Sequence, residues 1–95
     1  MKVLISPKYG AGWSTWNCRE MAIDKDLIAA FENGCTEEEM EELCIKKGYH
    51  APYMGGFEDL VVEEVPAGCF FKIREYDGSE TIEVFNSNRW FFAED

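Results

Sequence analysis

The chain has 95 residues, of which 46% are hydrophobic, and this indicates one folded domain (residues 1–95) and excludes a disordered chain. Its formal net charge is −10, which disfavours direct binding to nucleic acid or to an acidic membrane surface, because both carry negative charge. No apolar run approaches the roughly 20 residues of a membrane span. The N-terminal apolar stretch is too short for a signal peptide, so we expect a cytoplasmic protein.

The segment that follows the first apolar run has an unusual composition. Residues 3–5 predict a short buried strand, and Pro7 ends it because proline has no N–H to donate. Residues 6–16 then hold two glycines, a tyrosine and two tryptophans. Residues 1–19 carry three basic side chains and no carboxylate, whereas the rest of the chain has a balance of 6 − 19 = −13.

This loop is a candidate site for a small anionic or flat ligand. Its backbone N–H groups would bind oxygens and its rings would stack. The candidate ligand-binding residues are Lys8, Tyr9, Gly10, Gly12 and Trp13. We expect Trp13 to be at least partly exposed and Trp16 to be buried. The competing interpretation is that both rings only close the edge of a small core.

Two consecutive helices are predicted next. The first covers residues 23–34, with Asp24 as N-cap and Gly34 as the stop. The second begins at a capping box formed by Thr36 and Glu39 and ends at Gly48. Four further glutamates crowd its first half and define a candidate partner-binding surface, although a solvated face would have the same composition: Glu37, Glu38, Glu41 and Glu42.

Residues 49–57 predict a packed loop that contains the only histidine, His50. No nucleophile is placed beside it by spacing, so we expect a structural histidine and assign no catalytic residue. The spacing from Cys44 to His50 does not match a zinc site, and we expect no metal and no cofactor. The four cysteines are expected to be reduced thiols.

The remainder of the chain predicts β-structure. Strands are expected at residues 60–65, 69–76 and 79–85, with a type I′ turn at Asp77-Gly78. Counting from that turn pairs Ile73 with Ile82 on the inner face and Lys72 with Glu83 on the outer face. A final edge strand is expected at residues 89–92. The fold class is therefore α+β, with an N-terminal strand, two consecutive short helices and a mainly antiparallel meander of three or four strands.

Three segments of the chain resemble a group of small uncharacterised proteins encoded by tailed bacteriophages. They are the strand with its YGAGWSTW loop, the LIAAFE segment of the first helix and the EYDGSE segment of the hairpin. The resemblance implies the cytoplasm of a bacterial host and an accessory role during infection. It implies no activity, and therefore no catalytic residue. Small acidic phage proteins often bind host proteins, including defence nucleases, so the resemblance favours a host partner.

Besides a purely structural or assembly role, three classes of function remain. The first is a non-enzymatic accessory protein whose acidic surface binds the basic surface of a host protein, such as a defence protein, and inhibits or redirects it. The second is a binder or sequesterer of a small, nucleotide-like ligand at the N-terminal loop. The third, an enzyme, has the least support, because no sequence motif assigns a catalytic position to any of the carboxylates. The sequence determines neither the partner nor the oligomeric state.

Overall fold

The computed structural model describes residues 1–85, and it has the predicted α+β class. The strands are β1 (Lys2–Ile5), β2 (Val61–Glu64), β3 (Phe70–Tyr76) and β4 (Ser79–Phe85), and the helices are α1 (Lys25–Glu32) and α2 (Glu37–Lys46). Three short 3-10 turns that the sequence did not predict lie at Ser14–Trp16, Arg19–Ala22 and Phe57–Asp59. The predicted edge strand at residues 89–92 lies outside the described residues.

The four strands form two antiparallel pairs and not one continuous meander. β1 pairs with β2, and β3 pairs with β4. β1 is apolar from Val3 to Ile5 because both faces of this run are covered, as the sequence predicted. Leu4 packs in a core with Leu27 of α1 and Met40 of α2. Val3 and Ile5 point the other way, into a second cluster that packs against the inner face of the β3–β4 hairpin.

The two helices begin at the predicted caps. The carboxylate of Asp24 accepts hydrogen bonds from the amides of Asp26 and Leu27, which have no partner inside α1. Thr36 and Glu39 form the complete capping box of α2. Both helices are followed by a glycine at positive φ, with Gly34 at 81° and Gly48 at 91°. The observed helices are shorter than predicted, because the capping residues lie outside the hydrogen-bonded turns.

Asp24 also joins the start of α1 to the end of α2. Its carboxylate accepts a hydrogen bond of 2.6 Å from the Tyr49 hydroxyl and lies 3.0 Å from the Lys47 ammonium group. Burial raises the pKa of Asp24, but the hydrogen bonds from Tyr49, Lys47 and the two capped amides outweigh burial and lower it overall. One carboxylate therefore fixes the first helix and the C-terminal end of the second.

The β3–β4 hairpin has the predicted register. Ile73 lies opposite Ile82, and Lys72 lies opposite Glu83. The turn is confirmed as well, because Asp77 and Gly78 both have positive φ, at 49° and 85°. Both isoleucines are half-buried and pack against the cluster of Val3 and Ile5.

The outer face of the hairpin differs from the prediction in its contacts. Glu83 forms its ion pair with Arg74, one step along the ladder, and not with Lys72. The Lys72 ammonium group lies over the Phe85 ring, 5.5 Å from the ring centroid. Arg74 is a diagonal cross-strand neighbour of Glu83, and its long side chain reaches the carboxylate. The strand register alone therefore did not determine which cation pairs with Glu83.

Candidate functional site

The N-terminal loop (residues 6–16) wraps around the hairpin tip (residues 75–80). The Gly10 amide donates to the carbonyl of Asp77 at 2.8 Å, and the Ser79 hydroxyl donates to the carbonyl of Pro7 at 2.6 Å. The Glu80 amide donates to the carbonyl of Ser6 at 2.9 Å. The two segments that carry the YGAGWSTW and EYDGSE motifs are therefore in direct contact, although most of the chain separates them.

Glu80 lies at the centre of this contact and is fully buried. One oxygen of its carboxylate accepts a hydrogen bond from the Ser6 amide at 2.9 Å. The other accepts from the amides of Trp13 and Thr15, at 2.8 and 3.0 Å, and from the Thr15 hydroxyl at 2.5 Å. Such a set of converging donors is how proteins stabilise a carboxylate away from water.

The cross-strand neighbour of Glu80 is held in a similar way. Glu75 lies opposite Glu80 in the ladder, and its carboxylate accepts hydrogen bonds from the Gly78 amide at 2.7 Å and from the Trp16 indole at 3.3 Å. The Gly78 bond, followed by the Trp16 bond, lowers the pKa of Glu75. Two carboxylates on one face of the hairpin are thus bound by donors from the turn and the loop.

The structure assigns the predicted anion-binding N–H groups of the loop to an anion within the chain. The sequence did not point to Glu80 as a site residue, because a glutamate in a strand is normally exposed. A signal was nevertheless present. Strand alternation places Glu80 on the same face as Ile82 and Val84, which both pack against the cluster around Val3.

The five candidate ligand-binding residues do not share one surface. Lys8 and Tyr9 are exposed, as is Gly10, whereas Gly12 and Trp13 are buried. The Lys8 ammonium group lies 3.5 Å from the carboxylate of Asp59. The Tyr9 ring makes an edge-to-face contact with Tyr76, with ring centroids 6.2 Å apart.

The expected exposures of the two tryptophans were wrong. Trp13 is fully buried among core residues that include Leu4 and Met21, and its indole N–H donates to the carbonyl of Met21 at 3.4 Å. Trp16 is 41% exposed and stacks on Tyr53, with ring centroids 5.8 Å apart. The 3-10 turn at Ser14–Trp16 rotates the second ring out of the core, and the composition of the loop did not reveal that turn.

The candidate partner-binding glutamates form a continuous exposed surface on α2. Met40 and Cys44 bury the opposite face of the helix. The four carboxylates form no ion pair or hydrogen bond within residues 1–85, and they are Glu37, Glu38, Glu41 and Glu42. Glu39, between them, is the member of the capping box. We call these four residues the acidic face.

Groups that could support catalysis or metal binding are few in the described part of the chain. His50 is exposed, has a φ of 58° and lies in the loop after α2. Residues 1–85 contain no group of three histidine, cysteine or acidic side chains that could hold a metal ion. These residues include all four cysteines, and no disulfide joins any two of them.

Comparisons with protein-family models, with curated proteins and with solved structures find no match. The bacteriophage resemblance therefore stays a prediction. No helix among the described residues is long and apolar enough to cross a bilayer.

Proposed function

We propose that the chain is a non-enzymatic binding protein whose acidic face docks on the basic surface of a protein partner. The observation that carries this proposal is the contrast between these four carboxylates and others in the fold. Asp24 caps and joins the helices, Glu80 anchors the loop, and Glu32 pairs with Lys2 at 2.8 Å. The carboxylates of the acidic face make no comparable contact within residues 1–85, so no side-chain hydrogen bond or ion pair of theirs stabilises the fold.

The arrangement of the acidic face also costs stability. Glu37 and Glu41 are one helical turn apart, as are Glu38 and Glu42, and like charges at this spacing repel by a few tenths of a kcal/mol per pair. Acids in the first turn offset part of this cost through the helix dipole, but Glu41 and Glu42 lie beyond that turn. A cationic partner would relieve the repulsion, and its long-range attraction would speed association.

The resemblance to phage proteins suggests the identity of the partner class. In that context the partner is a host protein in the bacterial cytoplasm, and binding inhibits or redirects it. A defence nuclease suits this role, because its nucleic-acid-binding groove is basic and matches an acidic face. The alternative ligand function has less support, because Trp13 is buried and the amides of Ser6, Trp13 and Thr15 already bind Glu80.

The proposal is tested with a charge-neutralised acidic face. A partner is first recovered from bacterial lysate on the immobilised protein, and its affinity is then measured in solution. The test variant carries Glu38→Gln, Glu41→Gln and Glu42→Gln. We expect at least a tenfold loss of affinity, a weaker salt dependence, and a melting temperature within a few degrees of the parent.

A matched control separates the acidic face from net charge. Glu58, Glu63 and Glu64 are exposed acids on other elements, and changing all three to glutamine shifts the formal charge by the same amount, from −10 to −7. This control should bind with the parent affinity. Equal weakening by both triple variants, or no weakening by the first, would show that the acidic face is not the docking surface.

A further inference from the structure

The outer edge of β3 has backbone groups without a partner. On the outer edge of β4, the Glu80 amide donates to the carbonyl of Ser6 at 2.9 Å, so it points away from β3. Glu80 lies opposite Glu75, and the pairs of an antiparallel ladder alternate between facing and outward-pointing backbone groups. The amides and carbonyls of Phe71 and Ile73 therefore point away from β4. They form no hydrogen bond with any residue of the described part of the chain.

β3 is also the more exposed strand of the hairpin. Five of its seven residues are exposed, whereas Thr81 is the single exposed residue of β4. The Phe70 side chain, at the start of β3, is 79% exposed. An exposed and unpaired strand edge is the feature to which an extended segment of another chain adds as a further strand.

An open cavity of about 490 Å³ lies beside β3. It is lined by Phe71, Lys72 and Ile73 and by none of the residues of β4, all of which the structure describes. The Lys72 ammonium group lies over the Phe85 ring on the outer face, so Lys72 lines the cavity with its main chain. Ile23, which is 40% exposed, adds apolar surface. Alternate side chains of a strand added to β3 would lie on this inner face, where the cavity can take them.

A second copy of the chain does not fit this edge. Two β3 strands related by a two-fold axis would pair antiparallel through Phe71 and Ile73. Every such register that pairs at least five residues places Lys72 or Arg74 opposite Lys72 or Arg74 of the other copy, and like charges in that position destabilise the pair. The formal charge of −10 on each copy adds to the repulsion.

The same cations select the sequence of an added strand. Lys72 forms no ion pair within residues 1–85, and it lies on the outer face between the two residues with unpaired backbone groups. An acidic side chain on the outer face of the added strand would pair with it, since opposite charges across a ladder stabilise the pair. The inner face of that strand must be apolar, because Phe71 and Ile73 face the cavity.

We infer that β3 accepts an extended peptide segment of a partner protein as a third, antiparallel strand. The main chain of the segment pairs with the amides and carbonyls of Phe71 and Ile73. Its alternate apolar side chains enter the cavity, and an acidic side chain between them lies beside Lys72. The edge belongs to β3 and the acidic face to α2, so this inference does not depend on the proposed docking of a basic surface.

Hydrogen exchange on the folded, full-length chain tests the edge directly. The probe is the synthetic peptide acetyl-Thr-Val-Glu-Val-Thr-Val-Thr-amide. In the free protein the amides of Phe71 and Ile73 should exchange fast, whereas the Lys72 amide, which faces Glu83 in the ladder, should exchange slowly. Saturation with the peptide should slow exchange at Phe71 and Ile73 at least tenfold. Slow exchange at both amides before the peptide is added would mean that a second copy or another segment of the chain occupies the edge, and it would overturn the inference.

Methylated peptides separate main-chain pairing from apolar contact. In an antiparallel added strand the valine amides face β3 and the glutamate amide faces away. Methyl groups on the valine amides should therefore abolish binding, whereas one methyl group on the glutamate amide should be tolerated. Equal or reversed effects of the two methylations would overturn the inference.

The charge contact is tested with a matched pair of lysine variants. Lys72→Gln should weaken peptide binding at least threefold, and replacing the peptide glutamate with glutamine should remove that difference. Lys46→Gln removes the same charge from an exposed residue of α2 and should leave the affinity unchanged. Equal weakening by the two lysine variants, or no weakening by Lys72→Gln, would contradict the inferred strand.

Discussion

The carboxylate of Glu80 accepts a hydrogen bond of 2.8 Å from the amide of Trp13, which lies 67 residues earlier in the chain. Because the same carboxylate binds Ser6 and Thr15, a single side chain orders both ends of the N-terminal loop. The Trp13 ring then continues into the core beside Met21. The hairpin and the helical core are thus connected through one buried anion.

We expect Glu80→Ala to lower the free energy of unfolding by about 3 kcal/mol or more, since three amides lose their acceptor and buried donors are costly to leave unpaired. Glu80→Gln keeps the shape but presents one N–H₂ group to donors, so its loss should be smaller, at about 1–3 kcal/mol. Urea unfolding measures both. Glu63→Gln, at an exposed residue of β2, has the same charge change and should be nearly neutral. Equal stability of Glu80→Gln and Glu63→Gln would contradict the anchoring role.

Gly78 is required for two reasons that a matched variant separates. Its φ is 85°, and a Cβ atom there would lie 2.5 Å from the backbone nitrogen of Ala11. Gly68 has a similar φ of 80°, but a Cβ atom there would meet nothing within 4 Å. Gly68→Ala should cost about 1 kcal/mol, from the left-handed conformation alone. Gly78→Ala should cost clearly more in thermal or urea unfolding, and Gly78→Val more again. Equal costs at the two positions would mean that the backbone of Ala11 does not lie close enough to Gly78 to exclude a Cβ atom.

The hydrogen bond between Tyr49 and Asp24 predicts a specific alkaline behaviour. This bond, followed by burial, raises the pKa of Tyr49 to about 12. The folded value lies above the reference of about 10 for tyrosine in an unfolded chain. The bond therefore contributes its full stabilisation below about pH 10 and loses it as the pH rises towards 12.

Ultraviolet titration should detect one tyrosine that ionises with a pKa of about 12. Tyr49→Phe should remove this late step and make stability less dependent on pH in that range. Tyr53→Phe changes a half-exposed ring that stacks on Trp16 and should preserve the late step. Loss of the step in Tyr53→Phe, or its survival in Tyr49→Phe, would show that the assignment is wrong.

Cys44 should be the least reactive thiol of the four. It is fully buried, and burial raises the pKa of its thiol to about 11, so little thiolate forms near neutral pH. Native protein treated with N-ethylmaleimide should be modified at the half-buried Cys18 well before Cys44. Peptide mass analysis identifies the sites, and unfolding in urea should equalise the two rates. Equal rates in the native protein would contradict the burial of Cys44.

Local signals predicted much of the fold. The Asp77-Gly78 turn determines which residues lie opposite each other, so Ile73–Ile82 followed by counting. Asp24 and Thr36 marked the helix starts because their side chains bond amides only two or three residues away. Such interactions are contained in a short stretch of sequence and need no knowledge of the tertiary structure.

The sequence-based predictions failed where strand pairing or side-chain burial depends on the tertiary structure. β2 pairs with β1 and not with its neighbour β3, although a short turn connects β2 to β3. Trp13 and Trp16 are chemically equivalent, and only the position of the core relative to the 3-10 turn determines which ring is enclosed. Glu80 is buried because distant amides converge on it, and no nearby residue indicates those amides.

The bond between Ser6 and Glu80, across 74 residues, also has a kinetic consequence. During synthesis, β1 leaves the ribosome well before β2 and the hairpin tip. The nascent chain must therefore hold the apolar run from Val3 to Ile5 without its partner strand until β2 has been made. Closure of such long loops slows folding relative to chains with local contacts. A chain stalled before residue 80 should be captured by chaperones at β1 and released once the hairpin emerges.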